Sequence, residues 1–414
     1  MNDPEVHAGI DLGSENVICV IAEVDEEGDF RITGAGQAPT SGSVLEGVTV
    51  DLQGATEAVI KAVREAESIS SWKLTEAAVS ISGSHVRGFP GRGTVNIEQD
   101  DEFTSGKITW LDVEDALETA QMIKLPRESS ILRTEKCGYS VDGSAMLPRP
   151  PIGLRAERLT ADIYMVTADR TSVLNLQQVM RNAGLGITAM YPSAAASARA
   201  VLTRDEMEMG VLLADIGAET TDVAVYHSGV LAHLSVIPVG GGTITRDLQQ
   251  LRLPRGEAER LKRDCISLAR RNSEQEDISA AGFGGRSRLE LAQRDVFEIV
   301  YRSVGGILGD LLCELRQAGI QETDVPAGMV LCGGTSHLEG LAEASSRIMG
   351  IPVEVGRPAG IDVSSSLIES AEFASAVGLV LLSREEEKEE MKRKGSSSIQ
   401  KAASKIRGMI RKLR

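Results

Sequence analysis

Asp11 and Asp215 hold the same place in two copies of one local design. The first copy reads HAGIDLGSENVICVIAEVDEEG over residues 7–28, and the second reads VLLADIGAETTDVAVYHSG over 211–229. In each, an apolar, β-rich run leads to an Asp and a Gly follows two residues later (Gly13, Gly217). A short polar turn then gives way to a second apolar run. A hairpin of this kind carries a carboxylate at its mouth and a tight turn whose backbone N–H groups can meet an anion. One Asp-x-Gly is ordinary turn chemistry. Two copies far apart in the chain suggest two similar halves facing each other across a phosphate. A third glycine-rich turn follows the apolar run Met329–Cys332, as Gly333-Gly334-Thr335-Ser336. Paired glycines let a backbone come close to a flat ligand.

The elements that must position these turns alternate between strand and helix patterns. The first hairpin is followed by a strand over Phe30–Gln37, a turn over Thr40–Gly47, a helix over about Leu52–Ser68 and a strand over Ala77–Ser82. The alternation then breaks. Arg87–Asn96 is Gly-rich and extended. Thr109-Trp110-Leu111-Asp112 is a capping box that opens a helix to about Ile123. Ile131–Val141 and Leu159–Thr167 are strands. Together they form a small inserted α+β unit. Beyond it come a helix over Thr171–Asn182, a strand over Gly184–Met190 and the small-residue helix Ser193–Leu202. After the second hairpin, the strand Leu231–Val239 ends in Gly240-Gly241-Gly242. Helices are expected over about Thr243–Gln250, Arg255–Cys265 and Arg288–Gln317. Past Cys332 the pattern gives a helix near Leu338–Met349, a strand Val353–Val355 and a closing helix Glu372–Ser383.

Composition limits what this framework can do. The chain has 414 residues, enough for more than one domain and a large core, with 42% apolar and 25% charged residues. A net charge of −16 and only 3% aromatics speak against nucleic acid as a partner. The five cysteines are scattered and form no CxxC, which fits reduced thiols. The five histidines do not cluster in the sequence, so no transition-metal site is expected. The opening MNDPEVHAG is polar, unlike a signal peptide, and no apolar run approaches the ~20 residues of a membrane span.

The tail breaks with this acidic balance. Arg384–Ser398 is charged and then Ser-rich, and is expected to be a flexible linker. In residues 399–414, Ile399, Ala402, Ala403, Ile406, Met409, Ile410 and Leu413 fall on one helical face. Lys401, Lys405, Arg407, Arg411, Lys412 and Arg414 cover the rest, with no acid among them. A basic amphipathic helix after such a linker is the pattern of an interfacial membrane anchor. Each basic residue near an anionic leaflet adds about 1 kcal/mol, which gives reversible binding. A solvated basic tail or a docking helix for a protein partner carries the same pattern.

The ordered set of two Asp-x-Gly hairpins and a strand-Gly-Gly turn resembles the actin/Hsp70/sugar-kinase superfamily. The insert and the terminal helix narrow this, and the chain is identified as a member of the FtsA family of bacterial cell division proteins. GIDLGSENV, LEGVTVDLQ, ITWLDVEDAL, DIGAETTDVAVY, VIPVGGGTITRDL, GEAERLK, LCGGTSHLEGL and FASAVGLVLL carry the resemblance, which spans about Val6–Ser383 plus the terminal helix.

The resemblance implies an α/β, two-lobed actin/Hsp70/sugar-kinase-like fold with a small inserted α+β subdomain and a C-terminal amphipathic helix. Subdomain 1A would take 6–82 with 161–194 and 364–383, and the inserted subdomain 1C 83–160. Subdomain 2A would take 195–239 with 304–363, and subdomain 2B 240–303, before a linker at 384–398 and a membrane-targeting helix at 399–414. It implies ATP and Mg²⁺ as ligands. Gly13, Ser14 and Asn16 would lie at the first phosphate turn, and Gly217, Thr220 and Thr221 at the second. Asp11 and Asp215 would orient a hydrated Mg²⁺. Gly241, Gly242, Glu259 and Lys262 match positions flanking the ribose and base, although Glu259 and Lys262 are equally an i, i+3 pair on a helix surface. Gly333, Gly334 and Thr335 would complete the adenosine pocket.

As partners the resemblance implies the acidic C-terminal tail of tubulin-like FtsZ, other copies of the chain in a polymer, later division proteins through the insert, and the anionic inner membrane. It places the protein peripherally on the cytoplasmic side of that membrane at the septum. A basic helix face with Arg286, Arg288, Arg294 and Arg302 would meet the FtsZ tail, unless it is simply solvated. Ile399, Ile406, Met409, Ile410 and Leu413, with Lys405, Arg407 and Arg411, would meet lipid.

Two positions depart from the family pattern. Ala218 and Glu219 stand where the second turn often has glycines, and a carboxylate at Glu219 would repel a polyphosphate unless it pointed away or met the metal. Tyr191 stands near the position where hydrolytic relatives place Glu or Gln to orient water, which implies tight ATP binding with weak or absent hydrolysis. Two other readings use the same core. A sugar or acetate kinase would leave the tail unexplained. A PilM-like pilus-assembly scaffold generally lacks the long linker and basic terminal helix.

Overall fold

The computed structural model of the protein describes residues 5–24, 30–98, 106–264, 266–269, 277–359, 362–363 and 370–388. The terminal segment 399–414, with the residues expected to meet lipid, and residues 389–398 of the expected linker lie outside the described residues.

Two sheets carry the two glycine turns. The first has six strands in the order Gly186–Pro192, Glu76–Ile81, Glu5–Leu12, Asn16–Val24, Phe30–Pro39 and Asp362–Val363. Strands Glu5–Leu12, Asn16–Val24 and Phe30–Pro39 form an antiparallel meander, and the outer strands add in parallel. The second has five strands in the order Val230–Ile237, Thr221–His227, Val211–Ile216, Met329–Cys332 and Val353–Val355, with the same mix of antiparallel meander and parallel additions. Each sheet opens with one copy of the duplicated hairpin.

Helices cover both faces of the first sheet, which is why its central strands Glu5–Leu12 and Asn16–Val24 are buried in continuous apolar runs, while Phe30–Pro39 alternates. In the first lobe, Ala55, Val59, Ala62 and Val63 of the Leu52–Ser70 helix and Leu176 and Val179 of the Arg170–Asn182 helix pack on one face. Ala376, Val377 and Val380 of a helix over 374–388 pack on the other, against Ile18, Val20 and Ile32. Both covering helices start at Asp N-caps. Asp51 accepts from the Gln53 N–H, and Asp169 from the N–H groups of Thr171 and Ser172. In the second lobe, the Gly241–Leu248, Gln293–Gln317 and Leu341–Met349 helices bury Ile244, Leu248, Val304, Ile307, Leu311 and Leu341 against the sheet.

Between the first lobe's strands lies the small unit that breaks the alternation. Arg87–Asn96, Arg158–Asp169 and Ser129–Val141 form an antiparallel three-stranded sheet, with the helix Trp110–Gln121 across it. The expected capping box is present: Thr109 Oγ1 accepts from the Asp112 N–H, and the Asp112 carboxylate accepts from the Thr109 N–H. The glycines of the first strand have a packing reason. A Cβ at Gly91 or Gly93 would run into the Ala120 or Ala116 carbonyl of that helix.

Two expected elements differ. The helix expected over Arg288–Gln317 begins at Gln293. Arg288–Ala292 is a strand, paired with Asp277–Ala281 through Ile278 opposite Leu291 and Ala280 opposite Leu289. Leu289 and Leu291 alternate with Arg288 and Glu290, a period of two that the long helical stretch after it conceals. The expected linker also starts later, because the closing helix runs on through residue 388. Among the described residues, no helix is long and apolar enough to cross a membrane.

Candidate functional site

Each duplicated hairpin turns in the same way. The Gly13 N–H donates to the Asn16 carbonyl at 3.0 Å, and the Gly217 N–H donates to the Thr220 carbonyl at 2.9 Å. Asp11 is paired across its hairpin with Ile18, and Asp215 with Asp222. Both turns open on one cleft of about 690 Å³ between the lobes. Asp11, Gly13, Ser14 and Asn16 line it from the first lobe, and Asp215, Gly217 and Thr220 from the second.

Serines on the flanking elements fix the two acids. Asp11 accepts from Ser80 Oγ at 2.5 Å and from Ser375 Oγ at 3.0 Å. Asp215 accepts from Ser197 Oγ of the Ser193–Val201 helix. Burial raises the Asp11 carboxyl pKa, against the pull of its two serine donors. Burial, with the Asp11 charge adding to it, raises Asp215 to about 6 although Ser197 donates to it.

A third acid, Asp222, completes the group, and the sequence reading did not single it out. It is buried, lines the cleft, and accepts from Ser82 Oγ at 2.8 Å and Thr220 Oγ1 at 3.3 Å. Its Oδ1 has no partner. Burial first, and then the Asp215 charge, push its carboxyl well up. The signal was available in the duplication: the position that holds Ile18 in the first hairpin holds Asp222 in the second. Three converging carboxylates, one with an orphaned oxygen, match the all-oxygen donor set of a hard divalent cation such as Mg²⁺. The acids and turn amides suit a hydrated cation and a polyphosphate together.

The glycine turns divide into those that face the cleft and those that support it. Gly333, Gly334 and Thr335 line the cleft. Gly333 has φ 81°, and a Cβ there would meet the Asp215 carboxylate. Gly241 and Gly242 are not on the wall. Their N–H groups donate to the Gly217 and Ala218 carbonyls at 2.9 and 2.6 Å, and Thr335 Oγ1 donates to Gly217 at 2.9 Å. They brace the second turn from behind. Thr221 is also off the wall, its hydroxyl donating to the Val239 carbonyl at 2.7 Å.

Glu259 and Lys262 are both an i, i+3 pair, at 2.8 Å, and part of the cleft lining. Lys262 Nζ also donates to the Gly241 carbonyl and to Thr245 Oγ1. Burial alone would raise the Glu259 carboxyl, but hydrogen bonds from Lys262 and Thr245 carry it below the usual range. The result is a fixed carboxylate on the cleft wall, suited to accept from hydroxyls.

The departures resolve differently. Glu219 turns away from the cleft, and its Oε2 accepts from the Glu46 N–H at 2.8 Å. Tyr191 is buried against Ala78, Ala196, Leu379 and Leu382, with Arg133 5.6 Å over its ring. It is not part of the cleft lining, and the side chain that faces the cleft just after it is Ser193. Arg286 and Arg288 belong to the exposed Asp277–Ala292 hairpin, and Arg294 pairs with Glu298 at 3.0 Å on the helix that follows. The single basic helix face expected from the sequence is therefore two surfaces, because the strand Arg288–Ala292 separates them.

Comparisons with known proteins bear on the family and the fold. The family described as cell division protein FtsA matches residues 212–378, and the SHS2 domain inserted in FtsA matches 83–167. Cell division protein FtsA of Neisseria meningitidis is 33% identical over 373 residues, covering 90% of this chain and 88% of that protein. FtsA of Pseudomonas aeruginosa is 30% identical over 392 residues, covering 94% and 92%. Among solved structures, the PilM–PilN type IV pilus biogenesis complex superposes with a TM-score of 0.65 at 18% identity, covering 91% of this chain and 98% of that one. MreB5 of Spiroplasma citri bound to AMPPNP superposes with a TM-score of 0.54 at 14% identity, covering 95% and 99%. These two share the fold, which is actin-like. With its two hairpins, its inserted domain and relatives matched over nearly their whole length, the chain belongs to the FtsA family of bacterial cell division proteins.

Proposed function

We propose that the cleft binds ATP with Mg²⁺ and that the nucleotide-bound protein links the division ring to the membrane. Asp11 and Asp215 orient the hydrated cation, with Asp222 behind them. The turns at Gly13, Ser14 and Asn16 and at Gly217 and Thr220 hold the phosphates. Glu259 and Lys262 meet the ribose and base, and Gly333, Gly334 and Thr335 close the adenosine side. The observation that carries this reading is the convergence of Asp11 and Asp215, from equivalent hairpins of opposite lobes, on a single cleft. Bound Mg²⁺ supplies charge neutralisation for the phosphates, and the chain's own carboxylates fix its water shell.

Turnover is slow in this account. Tyr191 packs inside the first lobe, so it neither holds nor activates water in the cleft.

The protein polymerises and binds the FtsZ tail through the region of Arg286 and Arg294. It holds that tail at the inner face of the cytoplasmic membrane through the basic helix over 399–414, and recruits later division proteins through its insert. The family supports the cell-division setting, and the tail's charge pattern supports the membrane. Co-sedimentation with anionic liposomes, Mg²⁺–ATP and an FtsZ tail peptide tests the tether. Full-length protein should pellet with lipid, while a chain ending at Lys388 should stay in solution and still bind the peptide. That end point keeps the closing helix whole. Equal pelleting of both removes the anchor, and phosphate release at chaperone-like rates in the same samples contradicts slow turnover.

A further inference from the structure

Glu15 and Glu219 are equivalent positions, each four residues after the Asp of its hairpin, and each makes a contact with the opposite lobe. Glu15 Oε2 lies 3.4 Å from Arg255 Nη2, with both side chains more than half exposed. Glu219 Oε2 accepts from the backbone N–H of Glu46 at 2.8 Å. Glu46 and Gly47 are the two central residues of the tight turn between strands Val44–Leu45 and Val48–Thr49. Both are left-handed, with φ of 49° and 78°. A left-handed Glu is strained where a Gly is not, so something must hold it there. Gly47 is required by space as well, since a Cβ would run into the Gly83 backbone. Its N–H donates to Ser14 Oγ at 3.1 Å. One turn therefore touches both phosphate loops at once: Ser14 of the first and Glu219 of the second.

We propose that Glu219 is a positioning residue that clasps the second hairpin to the Glu46–Gly47 turn and retains the ligand by holding the mouth of the cleft shut. The proposal rests on the nucleotide reading above for what is retained. It also explains how a carboxylate is tolerated beside a polyphosphate site, because its charge is spent on a backbone donor outside the cleft. The Glu15–Arg255 pair is the weaker half, since exposed ion pairs contribute little. An ionised acceptor on a backbone N–H is the stronger contact.

The test uses full-length protein with Mg²⁺ and a fluorescent ATP analogue chased by excess ATP. Loss of the clasp in Glu219→Ala should speed release roughly three- to tenfold. Glu219→Gln keeps an oxygen acceptor and should stay within about twofold of the parent, as should Glu15→Ala. If the carboxylate instead acts by repelling phosphates, Glu219→Ala and Glu219→Gln both release more slowly, and the proposal is overturned. Equal release from all four proteins overturns it too. Amide exchange in the ligand-free protein gives a second readout. Residues 44–49 should exchange faster in Glu219→Ala and not in Glu219→Gln. If the parent binds no nucleotide, the ATP reading fails and the exchange result alone decides the clasp, with equal exchange overturning it.

Discussion

Burial first, and then the Asp11 charge, push the Asp215 carboxyl up, while the Ser197 hydroxyl donates to it and pulls it down. The balance leaves its carboxyl raised to about 6, against about 3.9 in an unfolded chain. A raised acid favours the fold in its protonated form. That contribution is complete below about pH 4 and is lost as pH rises through about 6. Without Mg²⁺, Asp215→Asn should come close to the parent's stability near pH 3.5. It should exceed it by at most about 3 kcal/mol at pH 8, as read by urea unfolding. A constant difference across that range contradicts the account. At this scale the sequence was only partly legible. Asp11 and Asp215 stood out because each precedes a Gly at the same spacing. Asp222 did not, because its partner position in the first hairpin holds the apolar Ile18, so the duplication repeats no acid there. Ser80, Ser197 and Ser375 could not be read at all, since each reaches its Asp only through tertiary packing.

The helices that bring Ser197 and Ser375 in are packed closely against their neighbours. A Cβ at Gly378 would strike the Ala196 carbonyl, and one at Gly9 would strike the Ala376 carbonyl. The closing helix therefore lies directly on both the Ser193–Val201 helix and the first strand. Ser197 and Ser375 sit on these two helices and reach the two acids from below. Gly378→Ala should destabilise the protein by roughly 1–3 kcal/mol in urea unfolding, through overpacking. It should also weaken ligand binding, because the helices must part. An unchanged unfolding midpoint contradicts this packing. The small-residue run SAAASARAV was legible as a helix, and the structure packs it closely against the closing helix. The Arg288–Ala292 strand was not legible, because its five residues run without a break into the 25-residue Gln293–Gln317 helix. Long helical periodicity overwhelms a short alternation at its edge.

Across the whole molecule, the closing helix ends in a collar of charges. Glu385 pairs with Arg199 at 2.5 Å, Glu386 with Arg133 of the insert at 3.6 Å, and Glu387 approaches His7 of the first strand at 3.8 Å. Arg384 lies 4.6 Å over the Phe30 ring. The run REEEKEE looked like linker because charged residues usually face solvent, yet its first residues find partners on four separate elements. The described part of the closing helix therefore ends against the first lobe and the insert. The two-lobed plan was legible because a duplicated hairpin announces duplicated lobes. How the lobes clasp was not, since that depends on a turn's backbone N–H groups. The central claim is that both lobes converge on one cation–nucleotide complex, and calorimetric titration of ATP into full-length protein tests it most directly. Binding should be to one site, should weaken by about tenfold or more when Mg²⁺ is chelated, and should be lost in both Asp11→Ala and Asp215→Ala. Equal affinity without Mg²⁺, or parent-like binding by either variant, contradicts it.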